Sequence, residues 1–565
     1  MKRKKIRKQH IIELLLSLAI IILLNYIGSF FYYRLDLTKE KRYSLSPVSK
    51  EVLDHLHNAV FIRIYLDGEL PAGFVRLKTA IREILDEFRW YAPGKILFQF
   101  TDPSEDPDPS VRRNIITELY DIGLQPTNVQ VRKKDGSTVQ KIIFPGAVIS
   151  CAGIDVGINL LKNNPGLNAE NNLNNSIQAL EYEFISMIKN LDADTIEKIA
   201  FIEGHGELDE LQTGDLTKEL ANYYQVDRGI IGGRYGSLDD YVAIIIARPV
   251  RRFEENDKFV IDQYIMKGGK VLWLLDVTKV SLDSLVNGST FVFYLPLNLE
   301  DQLFRYGIRL NPNMVKDIIC HVIPVNKGLV GDQPNIQFVP WYYYPLISPR
   351  QDHPVTKSLN MIKLDFASVI DTVGENRNIS KTVLLATSPY SKTVQVPVQI
   401  SLRESEIRPT EAEYNLSYQP VTVLLEGKFE SNFQNRQVPS GVTGNPPGIL
   451  SESVPTKMIV VSDGDLARND VLPSSSGPMI APLGYDRYTS QTFGNKNFIL
   501  NAVNYLTDET GLINLRGREF QLRLLDRKKI QDEALKWKII NMVSPLIIII
   551  ITGIAYNLYR RRLYG

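Results

Sequence analysis

Residues 241–276, YVAIIIARPVRRFEENDKFVIDQYIMKGGKVLWLLD, hold two continuous apolar runs on either side of a segment with helical spacing. The first run occupies 241–249 and the second 270–276. Between them, apolar residues recur at the spacing of a helix over 254–267, which Gly268-Gly269 ends. Strands that are apolar throughout and separated by helices are typical of a parallel sheet covered on both faces. The stretch therefore predicts an α/β fold for the second half of the chain.

Other runs extend this sheet. EKIAFIEGHGE (197–207) places a buried strand before a glycine-rich turn, and apolar runs at 381–387, 420–425 and 457–462 predict additional strands. A helix is expected between the glycine-rich turn and Tyr224. Open α/β sheets bind ligands at the carboxyl ends of such strands, so polar residues at those ends are the candidates for a binding or catalytic site.

The region before it, 35–191, has a different order of elements. The predicted elements are strand 59–66, a helix around 77–88, strand 95–101, a helix near 110–121, and strand-like runs at 127–133 and 139–150. The order β-α-β-α-β-β fits a thioredoxin-like α/β sandwich. That fold normally owes its redox chemistry to a Cys-x-x-Cys pair at the first helix, which this sequence does not have. We expect a binding or structural version of the fold.

Composition limits the function classes. The length of 565 residues predicts roughly three to four domains. The net charge of +1 gives no field that would attract nucleic acid, so we expect no nucleic-acid partner. Only two cysteines occur, Cys151 and Cys320, which excludes a disulfide-stapled scaffold, a zinc ribbon and a cysteine-ligated iron–sulfur cluster. A single disulfide between these two cysteines is left open.

Both ends of the chain carry an apolar stretch beside basic residues. KRKKIRK (2–8) precedes Ile11–Phe31, and Ile539–Tyr559 precedes Arg560–Arg562. At about 1.5 Å per residue each stretch spans about 30 Å, enough to cross a bilayer. A cleaved signal peptide is the alternative for the first stretch, but no small-residue cleavage pattern follows it. A buried core helix is the alternative for the second, although such helices seldom stay apolar on every side.

Two membrane spans would place both termini on the same side. Basic residues on the inner and outer flanks nearly balance, so their count does not set the orientation. The first helix usually dominates, and its N-terminal cluster is the densest. We therefore expect both termini in the cytoplasm, membrane lipid as a partner, and the long central region outside the cytoplasm.

The turn Glu203-Gly-His205-Gly-Glu207 is the most suggestive cluster of polar residues. Its three side chains are potential metal ligands at the carboxyl end of a predicted strand. A metal needs convergent ligands from more than one segment, and the other histidines show no ligand spacing. A turn that positions the following helix is the more ordinary interpretation, and we predict no metal, cofactor or catalytic residue here.

Two further groups are candidates for a ligand or partner surface. Asp463 and Asp465 follow the strand 457–462 and could hold a hard cation through carboxylate oxygens, although a hydrogen-bonded turn is the simpler interpretation. Trp341 and Tyr342, in an aromatic run between prolines, could stack on a partner or sugar, with core packing as the alternative. The sequence has no Walker-type phosphate loop, so it does not hydrolyse ATP by that route.

Several motifs together resemble the GldG family, the gliding-motility-associated ABC transporter auxiliary or substrate-binding proteins. The resemblance covers nearly the whole length and includes both terminal apolar segments. The matching motifs are RLDLTKEKRYSLSPVSK (34–50), VFIRIYLDGELP (60–71), IAFIEGHGE (199–207), WYYYPLISP (341–349), ATSP (386–389), VVSDGDLARND (460–470) and GNKNFILNAVNYL (494–506).

The resemblance implies a subunit of a bacterial inner-membrane ABC-2-type exporter with a periplasmic central region. Its partners would be a multi-spanning permease and a cytoplasmic ATPase, serving gliding motility. The central region would be a thioredoxin-like domain followed by a flavodoxin-like domain similar to glutamine amidotransferases. This sequence has no cysteine between 152 and 319 to serve as an amidotransferase nucleophile, so the resemblance implies a version without catalysis. The implied domains are 1–34 (basic N-terminus and transmembrane helix), 35–191 (thioredoxin-like), 192–530 (flavodoxin-like) and 531–565 (transmembrane helix and basic tail).

Three functions remain as hypotheses. The leading one is a non-catalytic auxiliary subunit of the transporter, which binds substrate or transmits force. The second is a membrane-tethered, metal-dependent hydrolase that uses Glu203, His205 and Glu207. The third is a scaffold for envelope assembly with no role in transport.

Overall fold

The computed structural model describes most of the chain between the two ends. The described residues are 12, 15–23, 25–26, 44–132, 138–162, 168–193, 195–374, 378–473, 477–517 and 533–564. The chain divides into two compact units. One comprises Met1–Tyr43 and Glu519–Gly565, and the other comprises Ser44–Arg518. Within the second unit we distinguish an N-terminal lobe, residues 44–192, from a C-terminal lobe, residues 198–507.

The N-terminal lobe mixes helices with strands. Its helices are α1 (Pro47–Asp54), α2 (Ala72–Tyr91), α3 (Pro109–Asp121) and α4 (Ala169–Asp192). Its strands are β1 (Val60–Ile64), β2 (Ile96–Phe100), β3 (Thr127–Arg132), β4 (Thr138–Ile143), β5 (Gly146–Cys151) and β6 (Ile154–Asn159). The run 139–150, predicted as one strand, is two strands, because Phe144-Pro145 interrupts the pairing and proline cannot donate a ladder hydrogen bond.

Four strands of this lobe form one sheet in the order β2-β1-β5-β6, with β1 and β2 parallel and the other pairs antiparallel. Alternate residues of β1, namely Val60, Ile62 and Ile64, are fully buried. Helix α2 packs on the sheet through the stripe Leu77, Ile81, Leu85 and Phe88, which has the three- and four-residue spacing of a helix face. The helix predicted around 77–88 is therefore confirmed and is longer than predicted.

The C-terminal lobe is larger. Its helices are α5 (Gly214–Leu220), α6 (Glu255–Met266), α7 (Leu282–Leu285), α8 (Glu300–Tyr306) and α9 (Asn495–Thr507). Its strands are β7 (Lys198–Glu203), β8 (Gln225–Ile230), β9 (Ala243–Ala247), β10 (Lys270–Leu274), β11 (Thr278–Lys279), β12 (Ser289–Tyr294), β13 (Ile308–Leu310), β14 (Asn313–Asp317), β15 (Cys320–Val330), β16 (Gln333–Ile347), β17 (Ile362–Lys363), β18 (Ile370–Thr372), β19 (Ile379–Ala386), β20 (Ser391–Gln395), β21 (Val398–Ser401), β22 (Pro420–Gly427), β23 (Thr456–Val461), β24 (Val471–Leu472), β25 (Met479–Ile480), β26 (Tyr485–Asp486) and β27 (Gln491–Thr492).

A seven-stranded sheet in the order β19-β22-β23-β10-β9-β7-β8 forms the centre of this lobe. Strands β8, β7, β9, β10 and β23 run parallel, and β22 and β19 continue the sheet antiparallel. The side chains of β9 are buried on both faces of the sheet. One face packs on α5 and α9 and the other on α6 and α8. The parallel, doubly covered sheet predicted from the apolar runs is confirmed.

The remaining strands of this lobe form smaller sheets outside the main one. The largest is the antiparallel pair β15–β16, a long hairpin that β17 extends at its base. A separate apolar cluster, which includes Trp341 and Tyr343 of β16, supports this region. We call the strands β11, β12, β14, β15, β16, β20 and β21, which lie outside the main sheet, the insertion.

The N-terminal lobe contains segments from both ends of the 44–518 unit. After α9, the chain returns to the N-terminal lobe in a short 3-10 helix, Leu512–Gly517. Leu512, Ile513 and Leu515 are buried in the same core as Leu45 at the beginning of the described unit. Both ends of this unit therefore pack in the N-terminal lobe.

The other unit contains the terminal apolar segments. Helix α10 (Ala534–Tyr564) covers the predicted second anchor, and Pro545 lies inside it. Within the described residues, one helical stretch, Ala534–Tyr559, is long and apolar enough to cross a membrane, and no other described part of the chain covers it. The predicted first anchor, Ile11–Phe31, lies mostly outside the described residues; those that are described within it, between 12 and 26, are helical and exposed.

Candidate functional site

The turn after β7 depends on two glycines. Gly204 has a φ of 117° and Gly206 a φ of 76°, a region of backbone conformation that L-residues with a side chain rarely adopt. A Cβ on Gly206 would lie 2.6 Å from Cγ2 of Val250. The glycines therefore let the chain reverse closely against the segment that follows β9 and turn the His205 side chain toward α6.

His205 is held between two carboxylates. Its Nδ1 lies 3.1 Å from Oε1 of Glu207, and its Nε2 lies 3.1 Å from Oδ2 of Asp257 in α6. The ring stacks on Phe253 with a centroid distance of 3.7 Å. Its carbonyl oxygen accepts hydrogen bonds from the backbone of Val250 and Arg251. The side chain is only 7% exposed, so it is a buried joint between the turn and the start of α6.

The two carboxylates decide the protonation of this ring. Burial lowers the pKa of His205, but the hydrogen bonds with Asp257 and Glu207 raise it more, to about 9. A protonated imidazole donates from both nitrogens, which matches the two acceptors on either side. A ring that is protonated at neutral pH has no lone pair for a metal ion, so this geometry suits a structural cation.

Glu203 takes part in a different contact. Its Oε1 accepts a hydrogen bond of 2.7 Å from Nε of Arg228 in β8. The same guanidinium donates to Oγ1 of Thr213 and to the carbonyl of Leu208. The structure therefore does not bring the three candidates Glu203, His205 and Glu207 to one point. Among the described residues, no group of three or more His, Cys, Asp or Glu is arranged to hold a metal ion.

A second cluster lies at the carboxyl ends of β9, β10 and β23. Arg248 follows β9, and its Nε lies 3.0 Å from Oδ1 of Asp465 and 3.5 Å from Oδ2 of Asp276. Arg248 has a φ of 57°, a strained conformation for a residue with a side chain. A Cβ on Gly464 would lie 2.8 Å from the Cβ of Arg248, so the close approach requires glycine at that position. We call Arg248, Asp276, Asp365, Asp463 and Asp465 the strand-end cluster.

Two carboxylates of the strand-end cluster accept hydrogen bonds from backbone N–H groups. Oδ1 of Asp463 accepts from the N–H of Asp465 at 2.9 Å, and its Oδ2 accepts from the N–H of Asp365 at 2.7 Å. Oδ1 of Asp276 accepts from the N–H of Gly464 at 2.7 Å. These bonds fasten the ends of β10 and β23 to each other and to the loop after β17. The candidate cation site at Asp463 and Asp465 is therefore a hydrogen-bonded turn in this structure.

Crowding of carboxylates in a buried place favours their neutral forms. Burial raises the pKa of Asp276 to about 7, and the carboxylate of Asp465 adds to the rise. Burial and the neighbouring Asp276 and Asp365 hold the pKa of Asp463 well above its usual range. Arg248 opposes the shift at Asp276. Asp276 and Asp463 therefore hold their protons more tightly than an ordinary aspartate does.

The aromatic candidates lie inside the insertion. Trp341 is 1% exposed and Tyr342 is 5% exposed, so both side chains are in the interior and not on a surface open to a partner. The ring of Trp341 contacts Tyr343 at a centroid distance of 5.2 Å. The hydroxyl of Tyr342 donates to the carbonyl of Ile407. These residues support the base of the β15–β16 hairpin.

Both cysteines are free, with Cys151 buried in β5.

The cavity between the lobes holds residues that the sequence did not single out. It has a volume of about 300 Å3. The residues that line it are Tyr182, Ser186, Lys189, Asn190, Ala193, Thr195, Ile196, Glu197, Tyr223, Tyr224, Asn504, Thr507, Asp508, Glu509, Thr510, Leu512 and Ile513. They come from three separate parts of the chain, 182–197, 223–224 and 504–513, and follow no motif. The sequence also did not single out Asp257, which pairs with His205, or Arg248 in its strained conformation. Arg248 and Asp276 lie at the carboxyl ends of predicted strands, and that position is the signal that could have identified them.

Comparisons with known proteins indicate where this chain belongs. The sequence profile of a family described as "ABC-type uncharacterized transport system" matches residues 196–502, which is more than half of the chain and nearly all of the C-terminal lobe. A second profile, described as a domain of unknown function, matches residues 39–150 in the N-terminal lobe.

Individual relatives are distant. A protein of Borreliella burgdorferi, described as an uncharacterized protein, is 22% identical over 442 residues, which cover 76% of this chain and 80% of the relative. A solved structure described as "mmIFT52 N-terminal domain" aligns with 55% of this chain and 97% of its own length, at 13% identity and a TM-score of 0.31. No conclusion on fold or function follows from a score this low.

Proposed function

Because the chain belongs to the family described as an ABC-type uncharacterized transport system, we propose that it is a non-catalytic auxiliary subunit of a bacterial ABC-2-type transporter that serves gliding motility. Its partners are a multi-spanning permease and a cytoplasmic ATPase. The family match lies in the C-terminal lobe, and the membrane-length helix α10 follows that lobe in the chain. A family tied to transport and a helix that fits a bilayer together support a membrane protein of this kind.

The single observation that carries the proposal is that both ends of the 44–518 unit are fastened to one helix. At its beginning, the N–H of Ser46 and the hydroxyl of Ser49 donate to Oε1 of Glu181 in α4, at 2.7 and 2.6 Å. At its end, Leu512 and Ile513 join the core to which α4 also contributes. We propose that a displacement of either terminal segment passes to α4 through these contacts.

Helix α4 also continues toward the C-terminal lobe. It ends at Asp192, and residues 193–197 lead directly into β7 of the large sheet. A long helix packed through eleven buried residues is a stiff element. We propose that α4 passes movement between the membrane segments and the C-terminal lobe, so the subunit transmits force or position and does not carry out chemistry.

The fold of each lobe fits the proposed domain pattern. In the N-terminal lobe, the order β2-β1-β5-β6 with a parallel first pair supports a thioredoxin-like domain over 35–191. In the C-terminal lobe, the parallel strands covered by helices on both faces support a flavodoxin-like, amidotransferase-like domain over 192–530. The contacts of His205 with Glu207 and Asp257 support a structural turn in place of an active site there.

The proposed topology has two membrane helices, within 1–34 and 531–565, both termini in the cytoplasm and the central unit in the periplasm of the inner membrane. The dense basic cluster 2–8, before the first apolar stretch, supports this orientation because the first helix usually dominates. Protease added to spheroplasts should digest the central unit without lysis. Digestion that requires lysis would reverse the orientation.

Affinity purification tests the function. The tagged full-length chain is extracted from its own host in a mild detergent, and the retained proteins are identified by mass spectrometry. A tagged inner-membrane protein of similar abundance is the control. We expect a permease and an ATPase in the sample and not in the control, and a deletion strain that does not glide until the full-length chain is restored. Recovery of the chain with neither protein would contradict the proposal.

A further inference from the structure

The cavity between the lobes lies where the chain crosses from one lobe to the other. The first crossing, residues 193–197, contributes Thr195, Ile196 and Glu197 to its wall. The second crossing, residues 508–512, contributes Asp508, Glu509 and Thr510. A molecule in this cavity would therefore contact both connections between the lobes, and a volume of about 300 Å3 is at the lower end of small-ligand sites.

Tyrosine rings form the less polar part of the wall. Tyr182 lies in α4, and Tyr223 and Tyr224 lie between α5 and β8. The hydroxyl of Tyr224 donates to Oδ1 of Asn504 at 2.9 Å, and Nδ2 of Asn504 donates to the hydroxyl of Tyr182 at 3.2 Å. The second of these bonds joins the two lobes, and together they fix the rings of Tyr182 and Tyr224. Fixed aromatic faces suit a ligand with carbon atoms and a positive charge.

Most of the ionisable groups on the wall already have partners. The carboxylate of Asp508 accepts from the N–H groups of Thr510 and Ile513. Glu509 pairs with Lys270 at 3.1 Å. The ammonium of Lys189 donates to Oγ1 of Thr510 at 3.2 Å. These contacts leave little capacity for an additional charged ligand at those positions.

Glu197 is different. Within the described part of the chain, no hydrogen bond or ion pair engages its carboxylate. Burial raises the pKa of Glu197, with Asp508 and Glu509 adding to the rise while Lys189 and Lys270 oppose it. The residue as a whole is exposed to solvent, so its carboxylate is within reach of a cation that enters the cavity, and no existing partner has to be displaced.

We propose that the cavity between the lobes binds a small organic cation, an amine whose ammonium pairs with Glu197 and whose carbon atoms lie against the tyrosine rings. The three carboxylates of the wall, against the two lysines that pair there, leave the cavity with a negative balance that favours this charge. The site does not depend on the transporter assignment, because it rests on the cavity and its own groups. Occupancy would bridge both crossings and hold the lobes in one relative position.

Calorimetric titration of the purified full-length chain tests the site. The probe is the diamine putrescine, and the neutral comparison is butanediol, which has the same number of carbon atoms. Sodium chloride of matched ionic strength is the control for screening. We expect saturable binding of putrescine at a stoichiometry of one, and no saturable binding of butanediol. Equal binding of the two compounds, or no saturable binding of putrescine, would overturn the proposal.

Variants separate this site from general attraction of amines to surface acids. Glu197→Gln removes the charge with little change in shape, and we expect it to weaken putrescine binding about threefold to fivefold. Glu210→Gln changes an exposed acid outside the cavity and should leave the affinity unchanged. Thr195→Trp fills the cavity without altering any charge and should abolish binding. Undiminished binding by the first and third variants would show that the cation binds elsewhere, which overturns the proposal.

Discussion

Replacement of His205 by glutamine tests the structural interpretation of the glycine-rich turn. The folded protein holds the His205 proton more tightly than the unfolded chain does, because its pKa is raised from 6.5 to about 9. The stabilisation is therefore complete below about pH 6.5 and is lost as the pH rises through about 9. His205→Gln cannot be protonated, so it removes this contribution and offers Glu207 and Asp257 a single amide nitrogen in place of two ring nitrogens on opposite sides.

The size of the effect follows from the proton affinity. A tenfold change in proton affinity corresponds to about 1.4 kcal/mol, so the rise to about 9 would be worth about 3 kcal/mol in full. Screening by the remaining solvent contact lowers this figure, and we expect about 2 kcal/mol at neutral pH. For a lobe of this size, that loss lowers the Tm by about 4 °C.

Thermal unfolding followed by tryptophan fluorescence measures it, since Trp273 and Trp341 are buried in the C-terminal lobe. The full-length chain and the variant are compared in detergent at about pH 6, 8 and 10. His55→Gln, at an exposed histidine whose ring contacts only the carbonyl of Glu51, is the matched control. We expect a Tm difference for His205→Gln that shrinks by at least half at the highest pH. A difference that does not change with pH, or one equal to that of the control, would refute this reasoning.

Three further predictions follow from burial, charge and the anchors. Trp341→Ala should cost about 3–5 kcal/mol by opening a cavity in the insertion, whereas Trp90→Ala, at 59% exposure, should change stability by less than about 0.5 kcal/mol; the two Tm values check this, and equal losses would contradict it. Asp276 has its pKa raised from 3.8 to about 7, so stability is lost progressively as the pH rises from about 4 to about 7, and Asp276→Asn should raise the Tm relative to wild type more at about pH 8 than at about pH 5. The reverse order of these two shifts would show that the carboxylate is stabilised as an anion. A chain that ends at Glu533 should resist carbonate extraction from membranes, and its release into the soluble fraction would contradict the proposed first anchor.

The sequence predicted the central sheet well where burial was complete. The runs that became β7, β9 and β10 are apolar on both faces, and only a doubly covered strand needs that composition. The run at 457–462 became β23 and joined them in parallel. That β22 and β19 continue the sheet antiparallel could not be predicted, because this direction is set by pairing between segments that are distant in the chain.

The candidate site was harder to predict because its partners come from elsewhere. The spacing Glu203-x-His205-x-Glu207 suggested three converging ligands, but the positive φ angles of the intervening glycines turn Glu203 away from the other two. The carboxylate that completes the His205 contact is Asp257, in a helix far along the chain. The helix expected up to Tyr224 is limited to α5, residues 214–220, because tight turns occupy the residues before it.

The sequence could not decide whether the aromatic run that contains Trp341 and Tyr342 lies on a surface or in the core. Trp341 and Tyr342 carry hydrogen-bonding groups and aromatic faces that are common on binding surfaces, and no local signal distinguishes this use from core packing. Only the fold of the insertion, which covers both rings, decides between the two. The cavity between the lobes could not be predicted from the sequence either, since its wall is assembled from three segments that are distant in the chain.

The central claim is that this 64.2 kDa chain acts as a subunit of a transporter. Native mass spectrometry of the complex released from the membrane in mild detergent tests it most directly, because it weighs the intact assembly without a tag-dependent enrichment step. The account predicts an assembly that contains this chain together with a multi-spanning permease and an ATPase, and that dissociates into those components on activation. An assembly whose mass is that of this chain alone, or of copies of it alone, would contradict the account.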